Sequence, residues 1–275
     1  VEKAINLAKK LGKAARVHIE VETGMNRTGF SIKRLKKIFQ HLEENKKFIA
    51  VKGVCSHLAG AESIANYKRL DQQYDRFKRV KTQVQGLDSF DTSFHLACSA
   101  ASIQYPKTRM DLARIGILLY GFFPSNEVLV RYLTKHKTQE NPLKRVISWK
   151  TCVMDVKEVK AGEFIGYGTS FFTNSKTKIA ILPIGYAHGF ARSLSNQGKV
   201  LIRGKRFDVI GVINMNMTVI DITECENIEK GEEVVIIGRQ GDLEISVASF
   251  GNFSNMVNYE LLTRLPSNIT RKIIK

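Results

Sequence analysis

The sequence predicts two architectures in succession, an α/β unit built on parallel strands and then an all-β unit, and three observations predict it. From residue 1 to about 125, strand-like and helix-like segments alternate, the pattern of βα units. From about residue 146 onward, short β-branched runs are separated by Gly, Asn and Lys turns. Between them lies a polar crossing with Lys135, His136, Lys137, Asn141 and Pro142, which places a boundary between about 130 and 145. The domains are therefore taken as 1–135 and 136–275.

The first strand is Val17 to Glu22, where apolar Val17, Ile19 and Val21 alternate with His18, Glu20 and Glu22. A Gly-rich polar loop follows, and Ser31 is placed to cap a helix whose apolar face carries Leu35, Ile38, Phe39 and Leu42. Val51 to Cys55 reads as the next strand. Tyr67, Leu70, Tyr74, Phe77, Val80 and Val84 recur at three or four residues, as a long amphipathic helix requires. Ser93 to Leu96 and Met110 to Arg114 are further strand candidates. In the second unit the strands are expected at Lys178–Ile184, Val200–Ile202, Val209–Ile213, Met217–Asp221 and Val234–Ile237.

Composition narrows the function classes. At 275 residues and 43% hydrophobic content the chain can bury two cores. No apolar run reaches the roughly eighteen residues of a membrane span, and the Lys-rich first twenty residues do not read as a signal peptide, so a cytoplasmic protein is expected. Cys55, Cys98, Cys152 and Cys225 form neither a CxxC pair nor a zinc-type cluster, and are expected as reduced core or near-site thiols with no metal. The net charge of +17 would suit a nucleic-acid binder, but the basic residues are scattered among acids. A Lys-rich solvated surface is expected instead, with no nucleic acid and no membrane as partner.

One run of motifs, in order along the chain, narrows the class much further. Val17-His-Ile-Glu-Val-Glu-Thr-Gly-Met-Asn-Arg-Thr-Gly29 is followed by Ser56-His-Leu-Ala59, His95-Leu-Ala-Cys-Ser-Ala-Ala101 and Ala113-Arg-Ile-Gly-Ile-Leu-Leu-Tyr-Gly121. Gly166-Tyr-Gly168, Ile184-Gly-Tyr-Ala-His-Gly-Phe-Ala-Arg192, Asn214-Met215 and Asn258-Tyr-Glu260 complete it. In this order the motifs resemble those of the alanine racemases. The resemblance implies a pyridoxal 5'-phosphate (PLP)-binding (β/α)8 barrel followed by a β-rich domain. A complete barrel takes about 250 residues, so the first unit is expected to be its C-terminal half, the last four βα units. The family's PLP lysine lies in a Lys-Ala-Asn-Ala-Tyr-Gly-like motif near the barrel's start, and these 275 residues contain no such motif.

The resemblance implies interconversion of L-alanine and D-alanine by two-base proton transfer on a PLP aldimine, in a homodimer with shared active sites that supplies D-alanine for peptidoglycan. One base is the PLP lysine; the other matches Tyr167, acting in the partner's site. Its phenol needs help toward phenolate, for which His57 is the candidate, and Gly166 and Gly168 suggest a close backbone approach. Arg114 matches the arginine at the pyridine nitrogen, which a guanidinium leaves largely unprotonated, with His95 orienting it. Ser99, Gly116, Ile117 and Tyr259 match phosphate contacts, although Ser99 taken alone reads as a helix cap. Arg27 and Met215 match groups facing the cofactor's phenolic oxygen and the substrate carboxylate, and Tyr186 matches an aromatic that narrows the substrate's path.

Three positions depart from the common pattern: His188 for Asp in Tyr-Ala-Asp-Gly, Asn216 for Asp after Met215, and Cys98 for Asn before Ser99. Glu20 stands where many family members carry a carbamylated lysine, and its carboxylate is expected to orient Arg27 directly. The alternatives are a PLP carrier without turnover, against which the β-rich half and Tyr167 argue; a racemase-derived fragment that is inactive or only dimerises by itself; and a basic nucleic-acid module.

Overall fold

The computed structural model describes residues 1–86, 91–225, 227–247 and 262–274, and divides the chain into units Val1–Lys144 and Arg145–Lys275. Among the described residues no helix is long and apolar enough to cross a membrane.

In the first unit, helix α1 (Glu2–Leu11) ends on Gly12 in the left-handed region, whose N–H reaches the Ala8 carbonyl. Strand β1 (Ala15–Glu22) is central in a four-stranded sheet with β2 (Phe30–Ser31), β3 (Ile49–Cys55) and β4 (Ser93–His95), in the order β2-β1-β3-β4. Every pairing is parallel, so each strand ends at the same edge of the sheet. Helices α2 (Leu35–Glu44) and α3 (Tyr67–Gln85) make the crossovers, and α4 (Ser99–Gln104) and α5 (Asn126–His136) follow. The period-two pattern of β1 sends Ile19 and Val21 into one core with Phe39, Leu42, Phe77 and Val80. Burying each such side chain contributes roughly 1.5–3 kcal/mol. The opposite face of β1 carries Arg16, His18, Glu20 and Glu22.

Two local expectations fail in this unit. Ser31 makes no capping hydrogen bond; a single 3-10 turn, Ile32–Arg34, intervenes, and α2 starts at Leu35. Met110–Arg114 is not a strand. Met110 sits at φ 50°, outside extended backbone, and the Asp111 carboxylate accepts the Phe94 N–H that a strand carbonyl would take. Isolated backbone bonds remain there, Asp111 N–H to Phe94 O, Leu112 N–H to Arg109 O and Arg114 N–H to Ala97 O.

The second unit is antiparallel throughout. Its strands are β5 (Trp149–Cys152), β6 (Asp155–Val159), β7 (Thr177–Leu182), β8 (Lys199–Ile202), β9 (Lys205–Ile210), β10 (Thr218–Asp221), β11 (Glu233–Gln240) and β12 (Leu243–Ile245). The sheet runs β12-β11-β8-β9-β10-β7-β6, with β5 also paired to β11. Arg203 and Gly204, both at positive φ, form the two-residue turn that closes β8 onto β9. Strand β7 stops short of the expected Ile184 because Pro183 has no N–H to add to the ladder. Strand β9 stops at Gly211, where a Cβ would lie 2.7 Å from the Ile165 carbonyl oxygen. Strands β5, β6 and β12 carry charged residues that dilute the apolar pattern, so no expected strand covers them.

Candidate functional site

The parallel edge is where chemistry can gather, because the loops leaving the strand ends project there together. Arg114 is fastened by Nη1 to the ring Nδ1 of His95 (2.5 Å) and by Nη2 to the Ser56 carbonyl (2.6 Å), with longer bonds to the carbonyls of His95 and Leu96. A guanidinium only donates, so His95 Nδ1 accepts. Burial, then the Arg114 charge, then His18 push the His95 imidazole down to about 4, so it is neutral at pH 7. Its Nε2 lies 2.7 Å from His18 Nδ1.

Beside them, Ser99 is the first residue of α4, but the N-cap position is Cys98. Ser99 is therefore no helix cap: its Oγ accepts the Gly116 N–H at 2.9 Å, which leaves its own proton free to donate. Ile117 follows, buried, at the start of a 3-10 turn. His57 is half-buried, and burial, then Arg114 and Arg27, lower its pKa. Cys55 ends β3 on the same edge, and burial raises its thiol's pKa.

Residues that the sequence reading did not single out hold this edge in place. Gln73, on α3 and only 1% exposed, donates to the His57 carbonyl (2.9 Å) while its Oε1 accepts the Ala59 N–H (2.9 Å). Thr23 and Ser56, both buried, share a hydrogen bond of 2.7 Å between the loops after β1 and β3, and Arg76 donates to the Thr23 carbonyl. The spacing of α3 marks Gln73 only as one polar residue in an amphipathic helix. A polar residue on its apolar side is the one signal available.

The expectation for Glu20 is overturned. Its Oε2 accepts from the Thr28 hydroxyl at 2.8 Å, and no ion pair joins it to Arg27. The reason is local: Glu22 takes the N–H groups of Gly24 and Asn26, curling the loop back along β1, so both carboxylates are spent on the loop itself. Gly29, at φ 106°, permits that return, since a Cβ there would lie 2.7 Å from the Glu22 nitrogen. Arg27 is left exposed.

In the antiparallel unit, Tyr167 rides a turn closed by the Phe164–Phe172 bridge and is 72% exposed. Gly166 and Gly168 sit at φ 76° and 70°, and a Cβ on either would find at most ordinary contact. They serve left-handed backbone and not the close approach expected of them. Tyr186 (41% exposed) and Met215 (60% exposed) belong to loops clasped by backbone bonds, Tyr186 N–H to Asn214 O (3.0 Å) and Ala187 N–H to Met215 O (2.9 Å). A cleft of about 560 Å³ beside Tyr186 is lined by Gly189, Arg192 and Arg264 among others. His188 turns inward on its own loop, its Nδ1 accepting the Gly185 N–H. Tyr259 lies outside the described residues.

The structure thus brings His57, His95, Ser99, Arg114 and Gly116 onto one edge of the first unit, and sets Tyr167, Tyr186 and Met215 on loops of the second. Comparison with known proteins gives these two sets a common setting. Residues 1–124 match the family model for the alanine racemase N-terminal domain and residues 146–273 that for the alanine racemase C-terminal domain. The chain is 35% identical over 266 residues to an alanine racemase of Halothermothrix orenii, covering 97% of this chain and 67% of that protein. It is 38% identical over 272 residues to one of Methanococcus maripaludis, covering 96% and 68%. The alanine racemase of Bacillus anthracis solved with bound L-Ala-P superposes with a TM-score of 0.85 at 31% identity, over 96% of this chain and 66% of that one. The enzyme of Bartonella henselae with covalently bound pyridoxal phosphate gives 0.78 at 29%, over 99% and 70%. The chain spans about two thirds of the length of these relatives. With a parallel N-terminal barrel-type domain, an antiparallel C-terminal one and both family models matched in order, the chain belongs to the alanine racemase family.

Proposed function

We propose that this chain serves the interconversion of L-alanine and D-alanine with PLP, in a cytoplasmic homodimer that supplies D-alanine for peptidoglycan. The observation that carries the reading is Arg114, held by a neutral histidine and backbone carbonyls at the strand edge. The residues present fit PLP. Both Arg114 Nη groups are engaged while its Nε–H makes no hydrogen bond among the described residues, and a pyridine nitrogen is the acceptor such a donor suits. Ser99 likewise retains a hydroxyl proton for an anion beside the Gly116 backbone.

PLP, when bound, supplies the electron sink that makes the Cα–H of an amino acid acidic. The chain's own groups do the rest. Arg114 donates and does not give up its proton, so beside a bound PLP it would leave the ring nitrogen largely unprotonated and would moderate the sink. His95, neutral at pH 7, holds Arg114 without a competing charge. Tyr167 accepts or donates a proton at Oη, with His57 as its helper, in the site of the partner subunit. Arg27, exposed and free of ion pairs among the described residues, meets the substrate carboxylate; Met215 matches a further group of the family that faces the substrate, and Tyr186 one that narrows the path to a methyl-sized side chain. Tyr259 completes the phosphate contacts with Ser99, Gly116 and Ile117.

The test is chiral chromatography of alanine turned over by PLP-loaded protein carrying these residues. Conversion is expected from either enantiomer, and Tyr167→Phe should lower turnover about 10²–10⁴-fold. Undiminished conversion in that variant removes Tyr167 as a base. The 275 residues hold no Lys-Ala-Asn-Ala-Tyr-Gly-like motif, which favours a second reading in which they only fold or dimerise by themselves. Borohydride reduction with PLP followed by peptide mapping separates the two. A single stoichiometric pyridoxyl-lysine together with D-alanine formation would reject the second reading.

A further inference from the structure

One side-chain link is left unused by the proposed racemase roles. His18 projects from β1 on the face opposite the core and reaches past β3 to touch His95 on β4, two strands away. The strand it crosses presents Gly53, the register partner of His18 on one side and of Ser93 on the other. A Cβ at Gly53 would lie 2.3 Å from His18 Nδ1 and 2.6 Å from its Cε1. Any other residue there would occupy the imidazole's place. No unusual backbone angle calls for glycine at this position, so the requirement is the passage of the ring.

The donors and acceptors then order themselves. Arg114 can only donate, so His95 Nδ1 accepts and its remaining proton sits on Nε2. His95 Nε2 lies 2.7 Å from His18 Nδ1, which must accept that proton in turn. His95 is buried, so without His18 its Nε2–H would be left as an unsatisfied donor.

We infer that His18, passing through the gap left by Gly53, is a positioning residue that holds His95 in the Nε2–H tautomer and so keeps Nδ1 turned to Arg114. The inference rests on the racemase reading for its purpose, but its test needs neither PLP nor turnover. With six histidines in the chain, ¹⁵N-histidine labelling allows His95 to be assigned by its disappearance in His95→Gln. In the unaltered protein His95 should show one tautomer with a slowly exchanging Nε2–H. His18→Phe removes the acceptor, and Gly53→Ala displaces a side chain and no backbone atom, so both folds should survive. Each variant should speed exchange of the His95 proton about tenfold, while His18→Asn, whose amide oxygen can accept in place of Nδ1, should restore slow exchange. Unchanged exchange in His18→Phe, or a His18→Asn protein as fast as His18→Phe, overturns the inference. Failure of alanine conversion with this hydrogen-bond chain intact would count against the racemase reading alone.

Discussion

The two units hold their candidate functional groups by different means. In the parallel unit the groups are interlocked through side chains: Arg114 with His95, His95 with His18, Ser99 with Gly116, and Gln73 with the His57 loop. His95, Ser99, Ser56 and Gln73 are buried. In the antiparallel unit Tyr167, Tyr186 and Met215 stand exposed on loops shaped by backbone bonds and positive-φ glycines. The difference follows from what each sheet offers. Parallel strands bring several loops to one edge, where buried polar groups must find partners in each other. An antiparallel sheet joined by tight turns carries a side chain outward on a short loop, and the loop's own hydrogen bonds suffice to fix its direction.

If the loops are set by backbone, the largest effect should come from Gly185→Ala. A Cβ there would lie 2.1 Å from the Asn214 carbonyl oxygen and 2.6 Å from Met215 backbone atoms, none of which can swing aside as a side chain could. The cost should be about 3 kcal/mol or more in urea unfolding. A loss below about 1 kcal/mol would mean that the clasp between the Tyr186 and Met215 loops is not rigid.

The side-chain network of the parallel unit should instead show itself through pH. Burial beside Arg114 holds His95 at about 4 against 6.5 for the free group. Between those values the unfolded chain binds a proton that the folded chain refuses, so this contribution is fully present above pH 6.5 and is lost as pH falls through 4. The His95 component should amount to about 3 kcal/mol, measured as the difference in pH dependence between the unaltered protein and His95→Gln. Parallel curves for the two would show that His95 is not held neutral by the fold.

The smallest effect on stability should come from Tyr167→Phe. With its side chain in solvent and no hydrogen bond from its hydroxyl to the described residues, the loss should stay within about 0.5 kcal/mol. A larger loss of thermal stability in the isolated protein would mean that the hydroxyl is structural, and the contrast between the two units would weaken.

Much of this architecture is written locally. The alternation from Val17 to Glu22 and the helical spacing from Tyr67 to Val84 determine their elements, because each pattern separates a buried from an exposed side at one period only, while the runs at Val200–Ile202 and Val234–Ile237, buried throughout, are marked as strands by β-branched composition. The motifs around His57, His95, Arg114 and Tyr167 mark the candidate residues for the same reason: their types and order are properties of the chain. What only the tertiary structure decided is who touches whom. Val17–His18 alone does not say that the imidazole will cross Gly53 to meet His95, 77 residues on. Glu20 so near Arg27 suggests an ion pair, yet the loop's return gives Thr28 its carboxylate. Met110–Arg114 has the composition of a strand and loses its ladder to one aspartate. In each case a hydrogen bond to a residue brought near by the fold competes with the local preference, and where the group is buried, as His95 is, an unpaired polar group costs about 1–3 kcal/mol and the satisfied partnership prevails.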